Sequence, residues 1–334
     1  MNNSIESNVR IPLYDEARGI AIFLVIIGHC IPSVHNPINQ AILSFHMPLF
    51  FVISGMLLSR KKIIAKNVKF YIQKKQRHLL RPQVTLGIFE CIFIMLCELS
   101  QTHSFSMLSF GDIIHAIFRW WFLLVLFQIS LISIFVRNFV LKNTIRQIVF
   151  GITLACIVIL QQCGIILQNK IPCFVNVVPF ALMFYMIGFY AQKLFTNTKL
   201  FMLPICVFVV AILSQINEPV LMYGNQYGNF GIFLMTSLCG SYAVIEISQR
   251  VHSSFFIWLG KVSIIVYVLQ FHINQYSRIG VNRILKKMTN LFNNAEMISY
   301  LGIVLTTLSS LTICIVLAYW ISRSRYIKKA FGYE

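Results

Sequence analysis

Mostly apolar stretches alternate with short polar breaks along the chain. They lie at about 12–31, 38–58, 83–99, 120–136, 147–168, 174–192, 200–216, 231–248, 262–275 and 297–321. A helix needs roughly 20 mostly apolar residues to cross a hydrocarbon layer, so the pattern predicts an all-α polytopic membrane protein of about ten transmembrane helices. The polar segment 100–119, with His103, Asp112, His115 and Arg119, is expected to hold a short re-entrant or interfacial helix. The breaks are short, and no internal repeat or second soluble domain is visible. Residues 1–334 are therefore expected to form one integral-membrane domain with its function inside the bundle. The polar, mildly acidic start lacks the small-residue site of a cleavable signal peptide.

Composition agrees with this picture. Hydrophobic residues make up 57% of the chain and charged ones 11%, against roughly 25% charged in soluble domains, and the mean hydropathy is +0.75. A disordered chain is excluded, and a soluble enzyme does not fit. The net charge of +18 would suggest nucleic acid in a soluble protein, but here it sorts by loop. With ten spans, 22 of the 28 Lys and Arg residues fall on the side of the termini and 6 on the other. The positive-inside rule then predicts both termini in the cytoplasm and no nucleic-acid partner. The nine cysteines lie mostly inside spans, without CxxC or Cys/His metal spacing. They are read as small apolar side chains, and no metal site is expected.

Ionisable residues inside spans are costly and point to function by default. The first span holds Tyr14-Asp15-Glu16-Ala17-Arg18-Gly19 and, further on, Gly28-His29-Cys30. Eleven residues turn a helix about 20° past three full turns and rise about 16 Å. Arg18 and His29 are thus expected on one face, His29 deep in the bilayer, with Asp15 able to pair with Arg18 one turn away. The alternative is an anchoring Arg and a hydrogen-bonded packing His. In the second span, His46-Met47-Pro48 and Ser54-Gly55 predict a kink with a freed carbonyl and a small surface for close helix packing. The segment 59–82 carries nine basic residues and no acidic one. It reads either as an anchor on anionic lipid or as a phosphate site, with Lys74 and Arg77 one turn apart. Glu90, Glu98 and Glu246 are candidate supporting or packing residues, and Trp120-Trp121 is either part of an interfacial belt or a sugar-stacking surface.

Taken together, these segments resemble the membrane-bound acyltransferase-3 family, whose members O-acylate sugars and other surface molecules in bacteria. Arg18 and His29 match the first-helix signature of Arg or Lys, ten residues, then His. Phe51-Val52-Ile53-Ser54-Gly55-Met56-Leu57 looks like the second signature, and Phe45 to Phe50 is similar to the short, single-domain sugar O-acetyltransferase branch. Lys74 through Pro82 resembles the Arg-x-x-Arg motif, with Lys74 in the first place. Weaker echoes are Trp121-Phe122-Leu123, the Gly188 stretch, and Leu259 to Ser263 with Tyr267. The late motif departs from many relatives, with Gln270 where they carry His and His272 two residues later. The resemblance spans about 10–325.

The resemblance implies transfer of an acyl, and by prevalence an acetyl, group from acetyl-CoA as co-substrate to a glycan or lipid-linked sugar, in the bacterial cytoplasmic membrane. No permanently bound cofactor is expected. In this scheme His29 is the general base, an acyl-His intermediate being a variant, Arg18 orients the donor and Asp15 orients Arg18. Lys74, Arg77 and Arg81 hold the coenzyme A phosphates. His46, Ser54, Trp121 and Tyr267 border the acceptor or acyl pocket. A transporter or flippase of polysaccharide or lipid-linked sugar and a non-catalytic assembly partner are the competing classes.

Overall fold

The computed structural model describes residues 11–60, 68–102, 111, 120–167, 172–197, 199–288 and 295–331. The helix expected within 100–119 falls almost wholly outside them, as do Arg119 and residues 61–67 of the basic segment. Among the described residues the chain forms α1 (Pro12–Cys30), α2 (Pro37–Arg60), α3 (Val68–Lys75) and α4 (Arg81–Thr102), with a π-helical turn (Gln76–Leu80) between α3 and α4. Next come α5 (Trp121–Phe135), extended by a second π turn (Val136–Val140), α6 (Thr144–Gln162), α7 (Val178–Tyr190), α8 (Gln192–Thr196) and α9 (Met202–Ile216). The chain continues as α10 (Phe230–Val251), α11 (Ser254–Lys261), α12 (Ser263–Met288), α13 (Ala295–Arg323) and α14 (Arg325–Ala330). An apolar layer offers no water to backbone groups, so helices, which satisfy those groups internally, are the form expected.

Among the described residues, six stretches are long and apolar enough to cross a membrane: Pro37–Leu58, Trp121–Val140, Thr144–Gln162, Pro172–Tyr190, Phe230–Val251 and Met297–Arg323. The pair α11–α12, bent by 82°, makes a seventh. The chain is thus a multi-pass, all-helical membrane protein. Of the other expected spans, α1 carries Asp15, Glu16 and Arg18, and α9 has only 15 residues. One boundary shifts substantially. The span expected to stop near 275 continues as α12 to Met288, so Arg278 lies on a helix and not in a loop.

α1 lies among α2, α10, α11, α12 and α13. Its first turn starts on Pro12, whose fixed φ and missing N–H suit that position. Glycines set how closely it packs. A Cβ on Gly19 would run into the Phe256 carbonyl, and one on Gly260 into the Asp15 carbonyl, so the backbones of α1 and α11 touch. Gly55 and Gly188 do the same for α2 and α7, against Tyr185 and Val52 carbonyls. Small residues are how helices approach in a medium without a hydrophobic driving force between them.

Pro48 lies inside α2 and cannot donate to the Ser44 carbonyl four residues back. That carbonyl instead accepts the Ser237 hydroxyl of α10 at 2.7 Å. The expected freed carbonyl therefore becomes an interhelical bond, two residues from His46. The α10–α11 corner turns through His252, at φ 48°, and Ser253 caps α11 by accepting from the Phe256 amide at 3.4 Å.

Gly260→Ala is expected to destabilise the protein by about 1–3 kcal/mol through forced separation of α1 and α11. Gly151→Ala, where a Cβ meets nothing within 4 Å, should stabilise by about 0.5–1 kcal/mol through helix propensity. Thermal unfolding of both variants in detergent, beside the parent, checks the opposite signs.

Candidate functional site

The stripe from Arg18 to His29 runs through Ile22 and Val25, which are 0% and 2% exposed. Residues at this spacing share one helix face, so the stripe faces protein and not lipid. At its far end His29 nevertheless keeps an exposed surface. Gly28 lets α2 come close, since a Cβ there would sit 3.1 Å from Asn39 Oδ1. Arg278 of α12 donates from Nη2 to the His29 carbonyl at 2.8 Å and to the Cys30 carbonyl at 3.4 Å. A cation at this place offsets the negative end of the α1 dipole and satisfies carbonyls that have no partner in the helix.

His46 of α2 is close enough to His29 for their charges to interact. Its Nδ1 lies 2.8 Å from the Ile42 carbonyl. A carbonyl only accepts, so Nδ1 carries the hydrogen, and Nε2 of the neutral ring is left as the acceptor. Cys30, next to His29, lies against Ser310 and Thr307 of α13. Beside it lies a cavity of about 290 Å³ lined in part by Cys30, Pro32, Arg278, Asn282, Lys286 and Thr306.

At the other end of α1 the motif residues divide into two kinds. Asp15, buried, pairs with Arg18 at 3.3 Å, and the Arg18 side chain is one-quarter exposed. Glu16, fully buried, accepts the Ser253 amide at 2.7 Å and so ties α1 to the α10–α11 corner. The Tyr14 hydroxyl accepts from Gln192 at the start of α8. This end therefore carries an accessible cation above a structural knot.

Lys74 and Arg77 come together with Phe70, Gln73 and His78 around a hollow of about 60 Å³, where α3 passes into the π turn. The Tyr71 hydroxyl reaches Ser130 and Ser133 of α5, which seats this basic segment on the bundle. Arg81 turns elsewhere and donates to the Lys329 carbonyl of α14 at 3.3 Å. Ser54 donates to the Phe50 carbonyl of its own helix at 2.8 Å, some two turns from His46.

Tyr267 packs edge-on against Phe122 and Trp120 at 5.4 and 5.9 Å, and Phe122 in turn meets Phe50 and Phe51. Its hydroxyl bonds the Phe122 backbone. Trp121, the aromatic singled out from the sequence, touches Phe122 at 6.1 Å. It is Trp120, 5% exposed, that enters this cluster. Trp120 also lies 6.5 Å from His272, whose Nε2 is 3.7 Å from the buried Glu90 carboxylate. The sequence flagged Glu90 and His272 separately. Their pairing, and the places of Trp120 and Arg278, had no local signal, because the partners lie on different helices. Glu246 is paired with Arg250, and the Glu98 side chain lies outside the described residues. Among the described residues no group of three or more His, Cys, Asp or Glu is placed to hold a metal ion.

A family model described as an acyltransferase domain matches residues 14–321. No curated protein and no solved structure matches the chain.

Glu16 and the Asp15–Arg18 pair should separate on substitution. Glu16→Ala removes the acceptor of a buried amide and should cost about 1–3 kcal/mol of stability. Arg18→Ala, at a partly exposed pair, should cost less than about 1 kcal/mol. Unfolding midpoints in detergent check the contrast.

Proposed function

Because this chain belongs to the membrane acyltransferase-3 family across residues 14–321, we propose that it transfers an acetyl group from acetyl-CoA to a sugar hydroxyl. The acceptor is a bacterial cell-surface polysaccharide or its lipid-linked precursor. The observation that carries this reading is the position of His29. It ends the protein-facing stripe of α1, keeps an accessible surface, and sits beside Arg278, His46 and a cavity able to admit an acceptor.

In this reading His29 takes the proton of the acceptor hydroxyl while that oxygen attacks the thioester carbonyl carbon. The tetrahedral oxyanion collapses, the C–S bond breaks, and the departing coenzyme A thiolate regains the proton from His29. His46, held by the Ile42 carbonyl, assists acceptor placement. Lys74 and Arg77 grip a phosphate of the donor, since the hollow they line has room for such a group and charge-assisted bonds suit it. Arg18, itself oriented by Asp15, orients the donor. The rise of about 16 Å from Arg18 to His29 suits a donor whose phosphates and thioester are joined by a long flexible arm. Trp121, Tyr267 and Ser54 flank the acyl or acceptor path, and Arg81 supports the donor end.

The chain crosses the bacterial cytoplasmic membrane ten times in this reading, through α1, α2, α4, α5, α6, α7, α9, α10, the bent α11–α12 pair and α13. Both termini are cytoplasmic, and 22 of 28 basic residues lie on that side.

Detergent-purified protein supplied with acetyl-CoA and a surface-glycan fraction should release coenzyme A. His29→Ala should lower kcat by about 10²–10⁴ with no change in folded yield, and unchanged turnover would remove His29 as the base. The double variant Lys74→Gln, Arg77→Gln should raise the KM for acetyl-CoA about 10- to 100-fold, leaving the KM for the glycan near its parent value. An unaltered donor KM would take both residues out of the donor site.

A further inference from the structure

A lane of buried polar side chains leads inward from the 290 Å³ cavity between α12 and α13, and few of its groups have protein partners. On α12, Gln270, Asn274 and Ser277 recur at helical spacing and lie on one face. They are 2%, 4% and 8% exposed. Neither amide atom of Asn274 has a hydrogen-bond partner, nor do Gln270 Oε1, Ser277 Oγ and, across the lane on α13, Ser310 Oγ. A buried polar group without a partner costs about 1–3 kcal/mol, and five such atoms along one seam are not a packing accident. At the mouth of the lane stands Arg278. Two of its contacts reach the His29 and Cys30 carbonyls, while its Nε is buried and meets no acceptor. Lys286 lines the same cavity, and none of the described residues lining it is acidic.

We propose that this lane is the acceptor site, and that the acceptor is a sugar bearing an anionic group, carboxylate or phosphate, close to the hydroxyl that is acylated. The inference rests on the acyl-transfer reading and adds the chemical class of the acceptor. Arg278 and Lys286 hold the anion. Arg278 bonds the backbone of His29 itself, so an anion on Arg278 places the neighbouring hydroxyls of the same sugar beside the His29 ring. Asn274 and Ser277 meet hydroxyls further in. The cavity, at the small end of the usual range for ligand pockets, suits one or two sugar units and not a long segment of polymer.

The test measures binding with no acetyl-CoA present, so that it does not depend on turnover. Glucuronate, glucose 1-phosphate and glucose are titrated into the purified full-length protein. At least one anionic sugar should bind about 10- to 100-fold more tightly than glucose, the range of a charge-assisted bond. Preference for glucuronate assigns a carboxylate, preference for glucose 1-phosphate a phosphate, and an equal gain for both an anion in general. Equal affinity for all three sugars overturns the proposal. Arg278→Lys should keep much of the preference and Arg278→Gln should abolish it. Because Arg278 also caps α1, Asn274→Ala serves as the second variant. It removes no protein hydrogen bond, so the fold should hold while affinity for the anionic sugar falls about tenfold. Unchanged affinity in both Arg278→Gln and Asn274→Ala overturns the assignment of the lane. Coenzyme A release from acetyl-CoA is measured separately. Its absence with every acceptor counts against acyl transfer, whereas release with neutral sugars as readily as with anionic ones counts against the anionic acceptor alone.

Discussion

α1 carries Asp15, Glu16 and Arg18 near one end and His29 near the other, and a helix with that load is stable in an apolar layer only where protein surrounds it. The rest of the bundle follows from this requirement. α11 is drawn against α1 until backbones touch, which Gly19 and Gly260 permit. Glu16 takes the Ser253 amide, so the turn that begins α11 is fixed by the helix it must cover. Arg278 closes the other end by bonding the last carbonyls of α1. Polar groups that would oppose insertion thus become the bonds that position α11 and α12.

The sequence carried much of this. An eleven-residue interval nearly completes three turns, so Arg18 and His29 were assigned to one face correctly, and the buried Ile22 and Val25 between them show which way that face points. Pro48 announced a freed carbonyl, and only the identity of its acceptance was missing: Ser237, 193 residues from Ser44. What stayed hidden was relational. Trp120 and Trp121 are adjacent aromatics whose positions on a helix differ by about 100°, and composition does not say which one faces Tyr267. Glu90 and His272 are joined by the fold alone. Arg278 was counted only as a cation outside the spans, because the residues after 275 are polar enough to read as a loop. In the fold they continue α12, with Arg278 turned to α1 and to the cavity.

The basic residues also divide in meaning. Most of the +18 charge sorts by loop. Lys74 and Arg77 stand apart from the other cations, since a π turn begins between them and the two line one hollow. Such turns often mark functional places in a helix. Here the turn lies where the chain must leave the surface segment α3 and enter α4 while Tyr71 keeps its contacts with α5. Arg81, at the next turn, is drawn to the α14 backbone instead, so the three cations named from one motif have two different surroundings.

The two polar ends of α1 are separated by packed apolar side chains. Ile22 and Val25 are buried along the stripe that joins Arg18 to His29. Pro48, two residues from His46, is where α2 departs from its own hydrogen-bond ladder, the Ser44 carbonyl turning to Ser237. The proline break, the two histidines and the Arg278 cap therefore belong to one problem: placing polar groups inside an apolar bundle with partners on neighbouring turns and helices.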